Sequence, residues 1–185
     1  MQSEKLWTKD FLGTCFSSLF LFLTFYMLMT TLPVYVIDGL KGKPEEIGLV
    51  ATVFLISSVL CRPFTGKWLD DLGRKKILFI SLSLFLAATV MYFGAQSLFL
   101  LLALRFLHGI GFGMATTATG TIVTDVAPAH RRGEALAYFG VFMSLPMVIG
   151  PFLGLTIISH FSFTVLFIVC SVFSLLAFLL GLLVD

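Results

Sequence analysis

The chain has 185 residues, 58% of them hydrophobic and only 12% charged, with a formal net charge of +2. A soluble domain carries about a quarter charged residues, so this composition cannot build a polar surface around a core that holds 21 Phe. The small net charge excludes an electrostatic footprint for nucleic acid, and Cys15, Cys61 and Cys170 all sit inside apolar runs, which argues against a disulfide framework, a metal site or a bound cofactor.

A short polar tail, residues 1–10, precedes a first apolar run over residues 11–36, long enough to cross a bilayer with some tilt. The run is too long for a signal-peptide core and lacks a small-residue cleavage site, so it is expected to be a permanent span. After a polar loop at 38–45 come apolar runs at 47–66 and 77–95, a brief break at Gln96-Ser97, and further runs at 98–124, 135–159 and 163–184. The expectation is an all-α membrane protein with six transmembrane helices forming one bundle over residues 11–185. With the N-terminus inside, the cytoplasmic side holds Lys5, Lys9, Lys67, Arg74, Lys75, Lys76, Arg131 and Arg132, against only Lys41 and Lys43 outside. Positive charge stays cytoplasmic, so both termini are expected there.

At an offset of roughly 88 residues the chain resembles itself. Arg62-Pro63-Phe64-Thr65-Gly66 lies over Gly150-Pro151-Phe152-Leu153-Gly154, and Glu46 over Glu134. Units at about 11–95 and 98–184 each hold three spans, so the second copy must be inverted relative to the first.

The one charge-dense island between long apolar runs is Gly66 to Leu78. Gly66 is read as a helix end, Asp70 and Arg74 place opposite charges one turn apart, and Gly73 permits a tight reversal. The island resembles the signature loop between helices 2 and 3 of the major facilitator superfamily. Gly66, Asp70, Gly73, Arg74, Lys75 and Leu78 match, while Trp68 and Asp71 depart from the pattern. In that family the charges, with an acid here matched by Asp125, latch the outward-facing state. The bland alternative is a solvated topology anchor. Asp125 to Glu134 resembles the companion loop between helices 4 and 5.

Arg105 lies within the fourth run, where an arginine costs on the order of 3 kcal/mol to insert. With His108, Gly109, Gly111 and Gly113 it resembles the family's fourth-helix motif, whose Arg is associated with proton coupling. His108 stands where Gln is usual. Arg105 is expected to face the cavity and bind an anionic group or tune a proton-binding partner, or else to snorkel to the interface. His108 either titrates or serves as hydrogen-bonded packing. In the fifth run, Gly150, Pro151 and Gly154 resemble the antiporter motif, with departures at Pro146 and Leu155; close helix packing alone would also explain them. Tyr26, Thr30 and Thr116 are candidates to line a mixed cavity.

The resemblance implies a small-molecule transporter that works by alternating access, with proton-coupled efflux by antiport as the leading reading and a proton-coupled uptake symporter or a non-transporting six-span scaffold as alternatives. It is not expected to be an enzyme: neither a serine-nucleophile elbow nor H-E-x-x-H occurs. Partners expected are a small molecule, protons, the lipid bilayer, and a missing C-terminal six-helix half or a second copy, in a bacterial inner membrane. A lone bundle is expected to leave its cavity face, including Arg105, against lipid.

Overall fold

In the computed structural model, which describes residues 5–184, the chain folds almost wholly into helices. Helix α1 (Lys9–Val34) begins where Thr8 caps it, its hydroxyl accepting the Phe11 N–H at 3.2 Å. Pro33 near its end withholds an N–H from the helical ladder, and the chain leaves α1 through a wider π turn, Tyr35–Gly39. A 3₁₀ turn, Pro44–Glu46, then leads into α2 (Ile47–Leu60), with the Glu46 carboxylate accepting the Lys43 N–H at 2.8 Å. Helix α3 (Arg62–Leu72) follows at a 40° bend around Cys61, because Pro63 has no N–H to offer Val59 one turn back.

Helices α4 (Arg74–Met91), α5 (Leu98–Val126), α6 (Arg132–His160) and α7 (Phe163–Gly181) complete the bundle. Ser97 caps α5, its hydroxyl accepting the Leu100 N–H at 3.3 Å. Among the described residues five helices are long and apolar enough to cross a membrane, and the bent α2–α3 pair supplies a sixth span if counted as one.

Two boundaries differ from the sequence reading. Gly66 does not end a helix; it sits inside α3, in open space on a helix that continues to Leu72. The reversal falls wholly on Gly73, at φ 90° and ψ 151°, a region nearly closed to residues with a Cβ. The polar tail is also less solvated than its composition suggests. Leu6 is buried in a cluster with Phe11, Val123 and Phe139, and the Trp7 ring lies 4.8 Å from that of Tyr138. Residues 1–4 of the tail lie outside the described residues.

The helices form a ring in the order α6, α1, α7, α4, α5, α2, with α1 and α5 also touching across its middle. Among the described residues the ring is open between α2 and α6, which do not pack closely against each other. Lipid provides no hydrophobic drive between helices, so close backbone approach has to supply the attraction. Glycines make that approach possible. A Cβ on Gly109 would collide with Ser57 and Phe54 of α2, one on Gly113 with Ser58 and Cys61, and one on Gly111 would meet Phe85 of α4. Across the ring, Gly150 and Gly154 of α6 seat against Tyr26 and Thr31 of α1. The first turns of α1 and the last turn of α7 lie at one end of the bundle, where Gly13 backs onto Leu180 and Val184.

Candidate functional site

At that same end the charged residues of the island meet the tail of α5. The single-residue break at Gly73 places Arg74 at the first position of α4, directly above the last turn of α3. Arg74 Nε donates to Asp125 Oδ2 at 3.0 Å, Nη1 donates to the Leu69 carbonyl at 3.0 Å, and Nη1 lies 3.3 Å from Asp70 Oδ1. One guanidinium therefore ties three segments together. Asp125 is the closer carboxylate, and Asp70, with its side chain 74% exposed, is the outer one. Exposed pairs of this kind contribute at most about 1 kcal/mol. On the companion turn, Arg131 donates two bonds of 2.7 Å to the Glu134 carboxylate. These facts separate the roles of the residues by stability. Gly73→Ala should cost about 1–3 kcal/mol from backbone strain, whereas Asp125→Asn should cost less than about 1 kcal/mol. Thermal unfolding of the two variants side by side checks the order.

Arg105 is fully buried, contrary to the expectation that a lone bundle would leave it against lipid or let it snorkel. Its guanidinium carbon stacks 4.1 Å above the Phe54 ring of α2, a cation–π contact. Nε donates to the Val50 carbonyl at 3.2 Å, and Nη2 approaches the Met29 sulfur of α1 at 4.0 Å, a weak acceptor. Nη1 has no partner. Among the described residues no carboxylate is buried, and none is bonded to this guanidinium.

His108 lies one turn along α5 and is also buried, but it faces α4. Its Nε2 is 3.1 Å from Thr89 Oγ1 and its Nδ1 is 3.1 Å from the Tyr92 hydroxyl. Hydroxyl accounting assigns the tautomer. Thr89 gives its one hydrogen to the Phe85 carbonyl at 2.8 Å, and accepts from Ser174 of α7 at 3.1 Å. It can then only accept from His108, so the imidazole hydrogen sits on Nε2 and Tyr92 donates to Nδ1. Ser174 also reaches Thr24 of α1 at 3.5 Å. A buried polar chain thus joins α4, α5, α7 and α1. Nitrogen-15 spectra of labelled chain should show a hydrogen-bearing Nε2 and a bare Nδ1 at His108; the reverse pattern would sink the assignment. Tyr92→Phe should strip the bond to Nδ1 and destabilise by about 1–3 kcal/mol.

Tyr26, Thr30 and Thr116 are all half-buried on the two central helices. They are not joined to one another by any hydrogen bond among the described residues. Thr30 donates to carbonyls of its own helix at 3.0–3.1 Å, and Thr116 donates to Gly113 at 3.2 Å. Their oxygens keep lone pairs for an outside donor. Tyr26 packs its ring 4.8 Å from Phe25, with its Cβ against Gly150. Gly150 and Gly154 are buried in the α1–α6 contact, while Pro151 is half-buried. Sequence reasoning missed Thr89, Tyr92 and Ser174. Thr89 and Tyr92 share a helix face by their spacing, but nothing in the sequence says that this face looks at His108.

A family model described as the Major Facilitator Superfamily matches residues 14–185. The chain belongs to the major facilitator superfamily. This superfamily member is 29% identical over 140 residues to the quinolone resistance protein NorA of Staphylococcus aureus, a match that covers 75% of the chain and 36% of NorA. It is 32% identical over 116 residues to the MFS transporter L2 of a Phoma species, covering 63% of the chain and 19% of that protein. The chain thus spans about a third or less of the length of these curated relatives. Family and apolar helices together make it an integral membrane protein of a transporter family.

Proposed function

We propose that the chain works as one six-helix half of a carrier that exports a small molecule by alternating access in exchange for protons. The observation that carries this reading is the opening between α2 and α6. It bares the half-buried stripes of α1 and α5, where Tyr26, Met29, Thr30, Thr116 and Thr117 mix aromatic, thioether and hydroxyl groups. A second six-helix half closing that side would complete a cavity around them. Export, rather than uptake, is favoured by the likeness to a protein named for quinolone resistance.

Within this reading the parts divide as follows. Arg74 with Asp125, Asp70 and Lys75 forms the latch at the basic end, with Gly73 setting its geometry; Gly66 belongs to the same motif without a packing contact of its own. That end faces the cytoplasm by the basic bias of its loops. Arg105 holds an anionic group or acidic partner at its spare Nη1, and His108 fixes the helix face that presents it. Gly150, Pro151 and Gly154 set the α1–α6 contact on which rocking depends. The inverted-repeat reading is supported by the packing. Exchanging α1 with α5, the α2–α3 pair with α6, and α4 with α7 maps the ring onto itself.

The test is accumulation of a quinolone in a host stripped of its own exporters, expressing the complete product of this locus. Lower accumulation that a protonophore restores is the expected result. Higher accumulation would mean uptake, and no change with any small molecule tried would favour a scaffold.

A further inference from the structure

The end of α5 that carries Asp125 has little of its own to hold it. The last four carbonyls of a helix lack partners inside it, yet among the described residues no capping bond is made at Ala127 and the last turn carries no basic side chain. Packing has to keep the turn in place. On one side Ile122 joins a cluster with Leu69, Ile77 and Leu78 of α3 and α4. On the other, Val123 and Ala127 share a cluster with Leu6, Phe11 and Phe139. Positions two apart on a helix point about 200° apart, so Val123 lies behind Asp125, on the face turned from Arg74. Helix α6 touches α5 only slightly, which leaves the segment before α1 to supply part of this backing. The Leu6 carbonyl accepts the Thr8 N–H at 2.8 Å, a tight turn that accompanies the burial of the Leu6 side chain. Trp7 is half exposed, but its ring lies 5.6 Å from Phe11 and 4.8 Å from Tyr138, bridging the starts of α1 and α6.

We propose that Leu6 and Trp7 are positioning residues for the Arg74–Asp125 pair, a strap across the starts of α1 and α6 that backs the last turn of α5. Without the strap that turn would fray, water would reach Val123, and Asp125 would spend less time within reach of the Arg74 Nε–H. What the strap does for transport rests on the latch reading given above. Whether it holds the pair does not.

The test is nitrogen-15 NMR of the labelled full chain in detergent, reading hydrogen exchange at the Arg74 Nε–H and at the backbone amides of residues 123–126. Asp125→Ala marks the broken pair. Leu6→Ala should speed exchange of these amides about tenfold and carry the Nε–H rate most of the way to the broken-pair value. Trp7→Ala, which removes a half-exposed ring, should move both in the same direction by about threefold, and it carries the test if Leu6→Ala does not fold. Leu6→Met keeps the volume and should restore the wild-type rates. In an Asp125→Ala background Leu6→Ala should change the Arg74 Nε–H no further, since it acts through that carboxylate. Leu166→Ala, an equally buried truncation in the cluster with Val36 and Tyr92, should lower the melting temperature and leave the Arg74 rate alone. Wild-type rates in the strap variants would overturn the proposal, as would equal acceleration by Leu166→Ala or a full effect of Leu6→Ala with Asp125 already gone. The latch reading is judged apart, by quinolone accumulation in cells expressing the complete carrier with Asp125→Ala. Wild-type export there would sink the latch and leave the strap standing on the exchange rates.

Discussion

Gly113→Ala will destabilise the bundle by about 1–3 kcal/mol, and Gly113→Leu will prevent α5 from seating on α2. The added Cβ would run into the Ser58 carbonyl and stand 2.6 Å from the Cys61 sulfur. Neither can yield, since one is backbone and the other fills the bend between α2 and α3. Gly120 is the control on the same helix. A Cβ there meets nothing within 4 Å, so Gly120→Ala should gain about 0.5–1 kcal/mol from helix propensity. Thermal unfolding in detergent reads both. Equal effects at the two positions would show that helix propensity, and not the α2–α5 contact, governs the response.

Arg105→Met should make the chain more stable while removing transport from the complete carrier. A buried cation without a counter-ion is a cost that stacking on Phe54 and one bond to Val50 only partly offset. An unbranched apolar side chain of similar length fills the same space, so the expected gain is about 1–2 kcal/mol. The proposed role predicts the opposite sign for activity, because no Met can hold an anionic group. Arg105→Lys should keep the charge but lose the flat stack and the Nε bond, and should be less stable than wild type. If Arg105→Met unfolded at a lower temperature, the residue would be a structural element; if it transported normally, the binding role would be wrong.

How much of this was legible beforehand depended on whether the information lay along one helix or between helices. The apolar runs stand out because a bilayer demands long uninterrupted stretches, and α1, α4, α5, α6 and α7 follow them closely. The break at Cys61 does not stand out. Pro63 could equally have sat at the first turn of a new helix or kinked a continuous one, and the chain does some of each. Gly66 and Gly73 look alike in sequence, but only Gly73 has to take a positive φ. The pairing of Arg74 with Asp125 was anticipated from the motif and is present. Arg105 announced itself by its cost, yet its surroundings could not be read. Val50, Phe54 and Met29 come from two other helices, and their choice depends on the glycine contacts that set how α5 turns toward α2. The His108 chain was hidden for the same reason.

The order of the ring also dictates an order of assembly. Helix α1 packs chiefly against α6 and α7, and only slightly against α2, its neighbour in sequence. Helices α2 and α4 in turn depend on α5. As the chain emerges from the ribosome, its first three spans therefore enter the bilayer with almost no partners among themselves. Lasting tertiary contact begins when the fourth span arrives, and α1 waits for more than half the chain before its own neighbours exist. A polypeptide arrested near Ser97 would hold inserted helices without a fold, its buried-to-be hydroxyls and glycine grooves open to whichever helix of the insertion machinery lies nearest.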